Sequence, residues 1–437
     1  MFFEAAQFRQ RRENLMQCME AGIAIVPTAP EVLRNRDSHY AYRFDSYFYY
    51  LTGFEEPESV LVLIAGSQPR SILFCREKDM EREIWDGFRY GPAAALSRFE
   101  MDETYPISEL DQRLPELMAN QPALFHALGA DVVWDQRVTG WLNAVKAQVR
   151  SGVRAPVVLQ DIRTYLDEMR LIKSPYELDI MRHAAKISTE AHRQAMQKSR
   201  PGLHEYEIEA ELLHTFYRHG SRAPAYGSIV AGGANACVLH YVANNASLND
   251  GDLLLIDAGC EMYGYAADIT RTFPVNGKFS GPQRDLYELV LAAQAAAIAQ
   301  VRSGNHWNAP HEAALQVLVQ GFIDVGLCQG SVDAVMESGD YRRFYMHRTG
   351  HWLGLDVHDA GEYKTQDGAW RNLEPGMTLT VEPGCYVRPA DDVPAHFWNI
   401  GIRIEDDVHV TNNGCEVLTA AAPKTVADIE AWMQADI

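Results

Sequence analysis

Apolar residues along the first 160 positions come in short runs separated by polar turns, and GIAIVPT, ESVLVLIAG, SILFCRE and ADVVWD each have the length of one strand. Between them, AAQFRQRRENLMQCM and ISELDQRLPELMANQ space their apolar residues as a helix with one buried face does. A small α/β unit is predicted there. RNRDSHYAYRFDSYFYYLTGF is dense in aromatic rings and reads as core, subunit contact or pocket wall. Near position 172 the pattern changes: Ser174, Pro175 and Glu177 open a helix as N-cap, first and third residue, and Leu178, Met181, Ala185, Ile187 and Ser188 then recur at helical spacing. A domain boundary falls here, giving an N-terminal domain over 1–172 and a larger one over 173–437. The larger domain shows one order twice: helices over about 175–198 and 205–219, then strands ending around 273; helices over about 283–303 and 310–325, then strands ending around 410. Thr425 caps a last helix, VADIEAWMQADI. A layout in two halves binds its ligand at the seam between them.

The acidic residues matter because of where they interrupt this pattern. LLLIDAG is a continuous apolar run, a buried strand ending on Asp257, and YAADITRTF carries Asp268. The turn-like GCEMYG between them predicts a hairpin with both aspartates near each other; the competing reading is that each caps a turn. TLTVEPG repeats the device with Glu382. In NIGIRIEDDVHV, strict alternation puts Ile400, Ile402 and Ile404 on one face and Gly401, Arg403 and Glu405 on the other, either as a solvated edge or as part of a site. An ionised carboxylate left unpaired inside a protein costs several kcal/mol, so four of them ending apolar strands call for a large positive charge. Two divalent cations supply it, with a neutral histidine as fifth ligand and a bridging hydroxide. An oxygen-rich set favours manganese or another hard ion over a thiolate-seeking one.

One histidine-rich stretch, HRTGHWLGLDVHD, holds His347, His351 and His358. WLGLDVHD alternates like a strand, while Gly350 and Gly354 permit close backbone approach. On one straight strand His351 and His358 point to opposite faces, which excludes twin ligation of the HExxH kind.

Composition narrows the classes. The chain has 437 residues, 47% of them hydrophobic and 22% charged, an ordinary globular balance. With 39 basic and 59 acidic residues its formal charge is −20, which repels nucleic acid. Seven scattered cysteines, none in a CxxC pair, argue against a disulfide framework or a thiolate zinc site and fit a reducing compartment. Neither a signal-peptide core nor a membrane span is expected, so the expected location is cytoplasmic.

In this order and these contexts, Asp257, Asp268, His351, Glu382 and Glu405 resemble the metal-ligand signature of the pita-bread metallopeptidases. YGSIVAGGANACVLHY, LIDAGCEMYGYAADITRTF, HRTGHWLGLDVHD, TLTVEPG and GIRIEDD are similar to the aminopeptidase P group, which removes the residue preceding an N-terminal proline. The resemblance implies an α/β (α+β) protein with a C-terminal pita-bread domain after a smaller α/β domain, and two divalent ions, Mn2+ above all. It implies that Asp257 chelates one ion, that Asp268 and Glu405 bridge both, that His351 binds one, and that Glu382 is both ligand and proton acceptor. His240 and His358 are then uncoordinated donors to substrate and developing charge, His347 lines the proline pocket, and Arg403 orients Glu405 or is a structural ion pair. Asp37 and Trp85 reach a neighbouring subunit's site in oligomeric relatives, which implies a homo-oligomer, tetramer or dimer; core is the other reading of Trp85. Arg348 departs from the pattern, since relatives commonly carry a small residue there, and it bears on the pocket rim. The alternatives are a prolidase acting on X-Pro dipeptides, a methionine aminopeptidase, which has no place for the N-terminal domain, and a pita-bread domain that has lost its metals and serves as a binding module.

Overall fold

The computed structural model describes residues 4–435, and the chain divides into two compact units, Met1–Met169 and Arg170–Ile437. The 172/173 boundary read from the sequence lies in the short connection between the helices Arg163–Leu171 and Pro175–Lys198.

In the first unit, six strands form one mixed sheet in the order Glu103–Pro106, Arg70–Cys75, Val60–Ala65, Gly22–Pro27, Ala123–His126 and Val158–Asp161. Its central strands are apolar throughout because both faces are covered: Ile23, Ile25, Val60 and Val62 belong to a core with Leu110 and Leu114 from one helix and Val138 and Trp141 from another. ADVVWD is not the strand its run of apolar residues suggests. Asp131 accepts from the Val133 and Trp134 amides and starts the helix Val132–Lys146, whose buried residues Val138, Trp141, Leu142 and Val145 continue at helical spacing beyond the run. The edge-ward strand is ALFH instead. The aromatic stretch after position 44 is core, with Phe44 and Tyr49 stacked at 3.9 Å and Phe48 and Phe54 fully buried.

The second unit realises the doubled order. Ser174 and Glu177 form the anticipated capping box on Pro175–Lys198, and Ser280 with Gln283 forms another on Gly281–Ile298; Glu205–Arg218 and Ala309–Asp324 complete the helix pairs. Thr425 caps Val426–Gln434, while the final Asp436 and Ile437 of the expected last helix lie outside the described residues. After the first pair, Ile229–Gly232, Leu253–Asp257 and Thr270–Pro274 form an antiparallel sheet. After the second, Thr378–Val381, Asp406–Thr411 and Gly414–Val417 form another, and Gly384–Val387 pairs with Ile400–Arg403. Threonines stitch the halves together: the Glu405 amide donates to the Thr270 carbonyl at 3.0 Å, and the Thr272 hydroxyl donates to the Arg403 carbonyl at 3.0 Å. No helix among the described residues is long and apolar enough to cross a membrane.

Two local expectations change. Asp257 and Asp268 do flank one antiparallel pairing, but Asp257 stands opposite Thr270 and a second small hairpin, Cys260–Met262 with Tyr265–Ala266, fills the turn. GIRIEDD is not one strand. The chain bends after Arg403 and resumes at Asp406, so Glu405 sits in the bend, and both faces of the stretch are buried. Nor is WLGLDVHD a strand. Thr349 to Leu353 runs beside Thr378–Val381, with the Thr380 amide donating to the His351 carbonyl at 2.9 Å, but Gly354 to Asp359 then turns back, closed by the Asp359 amide on the Trp352 carbonyl at 2.9 Å.

Candidate metal centre and active site

A cavity of about 710 Å³ in the second unit is lined by Asp257, Asp268, His351, Glu382 and Glu405, together with His240, His347, His358 and Arg403. Residues as far apart in sequence as 240 and 405 meet there because Asp257 ends one strand, Asp268 precedes its partner, Glu382 follows Thr378–Val381 and Glu405 sits in a bend. Donor atoms of Asp268, His351 and Glu405 all lie within 4.8 Å of one another. His351 donates its Nδ1–H to the Trp352 carbonyl at 2.9 Å, which turns Nε2 toward the carboxylates, 3.4 Å from Asp268 and 3.7 Å from Glu382.

The electrostatics of this cage are those of a site short of positive charge. Burial, reinforced by neighbouring carboxylates, raises Asp257, pushes Glu382 up to about 7 and holds Glu405 well above the ordinary carboxylate range. Burial opposes the charged form of His351, yet the hydrogen bond to Asp268 and the fields of Glu382 and Asp268 outweigh it and lift the imidazole to about 9. That His351 hydrogen bond also draws Asp268 below its usual value, against the effect of burial. Four carboxylates meet one arginine here, and hard divalent cations fit both the donor set and the deficit, taking the place of the proton on His351.

Arg403 differs from its expected partnership. Its Nη2 donates to Asp257 at 2.6 Å, Nη1 to the Tyr386 hydroxyl at 3.1 Å and Nε to the Thr270 hydroxyl at 3.1 Å, because the bend after the strand carries Glu405 off its face. Thr270 in turn donates to Glu405 Oε2 at 2.6 Å. Tyr226 stands 2.6 Å from Asp257 Oδ1 and 2.5 Å from Asp268 Oδ1, sharing its single proton between them. Asp407 accepts the Asp268 amide at 3.1 Å. Sequence reading singled out none of Tyr226, Thr270 and Asp407, although all lie inside the quoted motifs; only contact reveals them.

The histidines fall around the cage. The rings of His351 and His358 touch edge to face at 4.3 Å, contrary to the opposite faces that a straight strand requires. The turn that brings them together is held by an internal ion cluster: Asp359, whose side chain is 1% exposed, pairs with Lys173 at 2.8 Å and Arg170 at 2.6 Å, and Arg170 also reaches Asp356 at 2.7 Å. Gly354 lets that cluster close, since a Cβ there would collide with the Asp359 carboxylate; Gly350 likewise lies where a Cβ would collide with the Thr380 carbonyl oxygen. His347 accepts the Tyr386 hydroxyl on Nε2 at 2.8 Å while its Nδ1 donates to the Arg348 carbonyl at 2.7 Å, and burial with the Arg403 field holds it down to about 3. His240 follows the short helix Gly233–Cys237 and is exposed to the cavity.

Asp37 and Trp85 belong to the first unit. Asp37 is an exposed residue in the turn between Leu33–Asn35 and Ser38–His39. Trp85, on the helix Met80–Asp86, is 84% exposed, which removes its reading as core.

Two helix-helix-strand repeats closing acidic strand ends and one imidazole around a cation site define a pita-bread metallopeptidase. The model of metallopeptidase family M24 matches residues 179–412, and that of the aminopeptidase P N-terminal domain matches residues 8–125. The chain is 45% identical to the Xaa-Pro aminopeptidase of Escherichia coli and 46% identical to that of Haemophilus influenzae, covering 98% of this chain in each case and 98% and 97% of theirs. Its structure superposes on that of the aminopeptidase PepP of Pseudomonas aeruginosa with a TM-score of 0.97 at 50% identity, covering 99% of this chain and 98% of that one. The chain belongs to metallopeptidase family M24.

Proposed function

We propose that the protein is an Xaa-Pro aminopeptidase that holds two divalent ions, Mn2+ above all, and hydrolyses the bond between an N-terminal residue and a following proline. The observation that carries this reading is the convergence of Asp268, His351 and Glu405, with Asp257 and Glu382 beside them, in one cavity. Asp257, Asp268, His351, Glu382 and Glu405 would hold the ions. When bound, the ions supply Lewis acidity, polarising the scissile carbonyl and lowering the pKa of water.

The chain's own groups do the rest. Glu382, steadied by Thr380 at 3.4 Å, accepts the proton of the attacking water and returns it to the prolyl nitrogen as the bond breaks. The His358 imidazole donates to the oxygen on which negative charge develops, and His240 binds the substrate carbonyl. His347 is fixed by Tyr386 and forms part of the wall that receives the proline ring, a recognition device suited to a bond with no N–H. Arg403 holds Asp257 in position and partly offsets the negative charge of the cage.

The N-terminal unit supports assembly as a homo-oligomer, tetramer or dimer. Met80, Ile84, Trp85 and Phe88 expose 78%, 80%, 84% and 65% of their surface around one short helix, an apolar patch typical of a subunit contact, and Asp37 and Trp85 are the residues offered to a neighbour's site. The proposed location is the cytoplasm, in keeping with seven unpaired cysteines.

The test is release of the first residue from X-Pro-Y tripeptides by protein with and without manganese, with bound metal counted by elemental analysis. Cleavage of X-Pro dipeptides alone makes the protein a prolidase; two bound ions remove the metal-free binding module. Failure to cleave either peptide with two ions bound refutes the reading.

A further inference from the structure

Arg348 follows His347 directly and lines the same cavity as the carboxylate cage. Among the described residues, two lysines or arginines line that cavity, Arg348 and Arg403, and the charge of Arg403 is committed to Asp257 at 2.6 Å. Arg348 makes no ion pair among the described residues. Neutral groups place it instead: Nη2 donates to Asn308 Oδ1, and the guanidinium lies 5.2 Å from the centroid of Trp370, another lining residue. The ammonium of Lys364 lies over that same indole at 4.6 Å, so this wall is positive while the cage is acidic.

A guanidinium held by an amide and an aromatic face keeps its charge, and its planar fork matches a carboxylate with two parallel N–H groups. Being already oriented, it loses little side-chain freedom when it binds. A peptide whose positively charged amino terminus lies at the acidic cage presents its remaining negative charge farther along the chain, as the C-terminal carboxylate of a short peptide or as an acidic side chain after the proline. We propose that Arg348 is a specificity-determining subsite that binds a carboxylate carried by the peptide beyond its proline. This rests on the aminopeptidase reading, and it adds a substrate preference to it: short or acidic X-Pro peptides over neutral ones.

The test compares kcat/KM of the manganese-loaded full chain, native and Arg348→Gln, on Ala-Pro-Ala and its C-terminal amide, and on the amides of Ala-Pro-Glu and Ala-Pro-Gln. The first pair reads the terminal carboxylate and the second the side chain. The native protein prefers the charged member of at least one pair by about tenfold, and Arg348→Gln brings that ratio toward one. The preference also shrinks as salt rises from about 0.05 to about 0.5 M, because the guanidinium is exposed. Calorimetry with Pro-Ala and its amide measures the same subsite without turnover. Equal ratios in native and variant protein, with equal binding of Pro-Ala and its amide, overturn the proposal. If no peptide is cleaved the aminopeptidase reading falls, and calorimetry alone then decides whether Arg348 binds the carboxylate.

Discussion

Thr270 is a small residue on which two charged groups of the cage depend. Its hydroxyl donates to Glu405 at 2.6 Å and accepts from Arg403 Nε at 3.1 Å, and none of the three is more than 4% exposed. Thr270→Val preserves the shape, opens no cavity and removes both hydrogen bonds. The bond to the Arg403 guanidinium contributes about 1.5–3 kcal/mol and that to Glu405, whose burial favours the neutral acid, about 0.5–1.5 kcal/mol, so the loss should reach about 2–4 kcal/mol, with Arg403 Nε left buried and unsatisfied. For a unit of this size that corresponds to a melting transition about 4–8 °C lower. Loss of the group that orients a ligating carboxylate weakens metal binding by about 10- to 100-fold. Thermal unfolding of the metal-free protein and competition for Mn2+ against a chromophoric chelator measure the two effects separately. Thr270→Ser keeps the hydroxyl and is the control; it should hold metal as the native protein does. A Thr270→Val protein with native melting and native affinity would refute the reasoning, and a loss in Thr270→Ser as large as in Thr270→Val would show that packing at the site, and not the hydroxyl's hydrogen bonds, is responsible.

Asp359→Asn should destabilise the protein by about 3–5 kcal/mol, because it leaves Lys173 a buried cation facing a neutral amide and takes from Arg170 the buried one of its two carboxylates. Asp359 is held below the usual carboxylate range: burial opposes its charge, but Lys173 and Arg170 more than compensate. Its contribution is therefore complete above the unfolded carboxylate pKa and is lost as pH falls through the lowered folded value, so denaturation measured across the acid range should be flatter for Asp359→Asn than for the native chain. A parallel acid limb in the two proteins would show that the pair carries no pH dependence. His358→Ala should keep its metal by elemental analysis while turnover falls by about 10² or more, and a normal rate would remove His358 from the mechanism. Glu382→Ala should abolish turnover and lower metal content together; full metal with full activity would exclude it as ligand and as proton acceptor.

Much of this architecture is written locally. The capping boxes at Ser174 and Ser280 can be read from four residues each, because a cap involves only its own first turn. Asp257 stands out because an acidic residue ending LLLI contradicts its surroundings. Errors came where the next piece of chain was decided by something distant. WLGLDVHD has the alternation of a strand, but Lys173 and Arg170 pull Asp359 inward and fold the segment back, so His358 lands on His351. ADVVWD is the exception, decided locally: it is apolar enough for a strand, yet Asp131 caps it into a helix whose buried face lies further along.

Sequence alone was sufficient to assign the doubled order of helices and strands, the helix starts at Ser174 and Thr425 and the acidic character of the cage, since those depend on periodicity, first-turn hydrogen bonds and the cost of burying acids. Which partner each charged group finds was decided only by folding. Arg403 binds Asp257 rather than Glu405, Tyr226 bridges two aspartates, and Thr270 joins the halves, because hydrogen bonds act over about 3 Å and the atoms concerned are brought to that range by segments 31 to 146 residues apart.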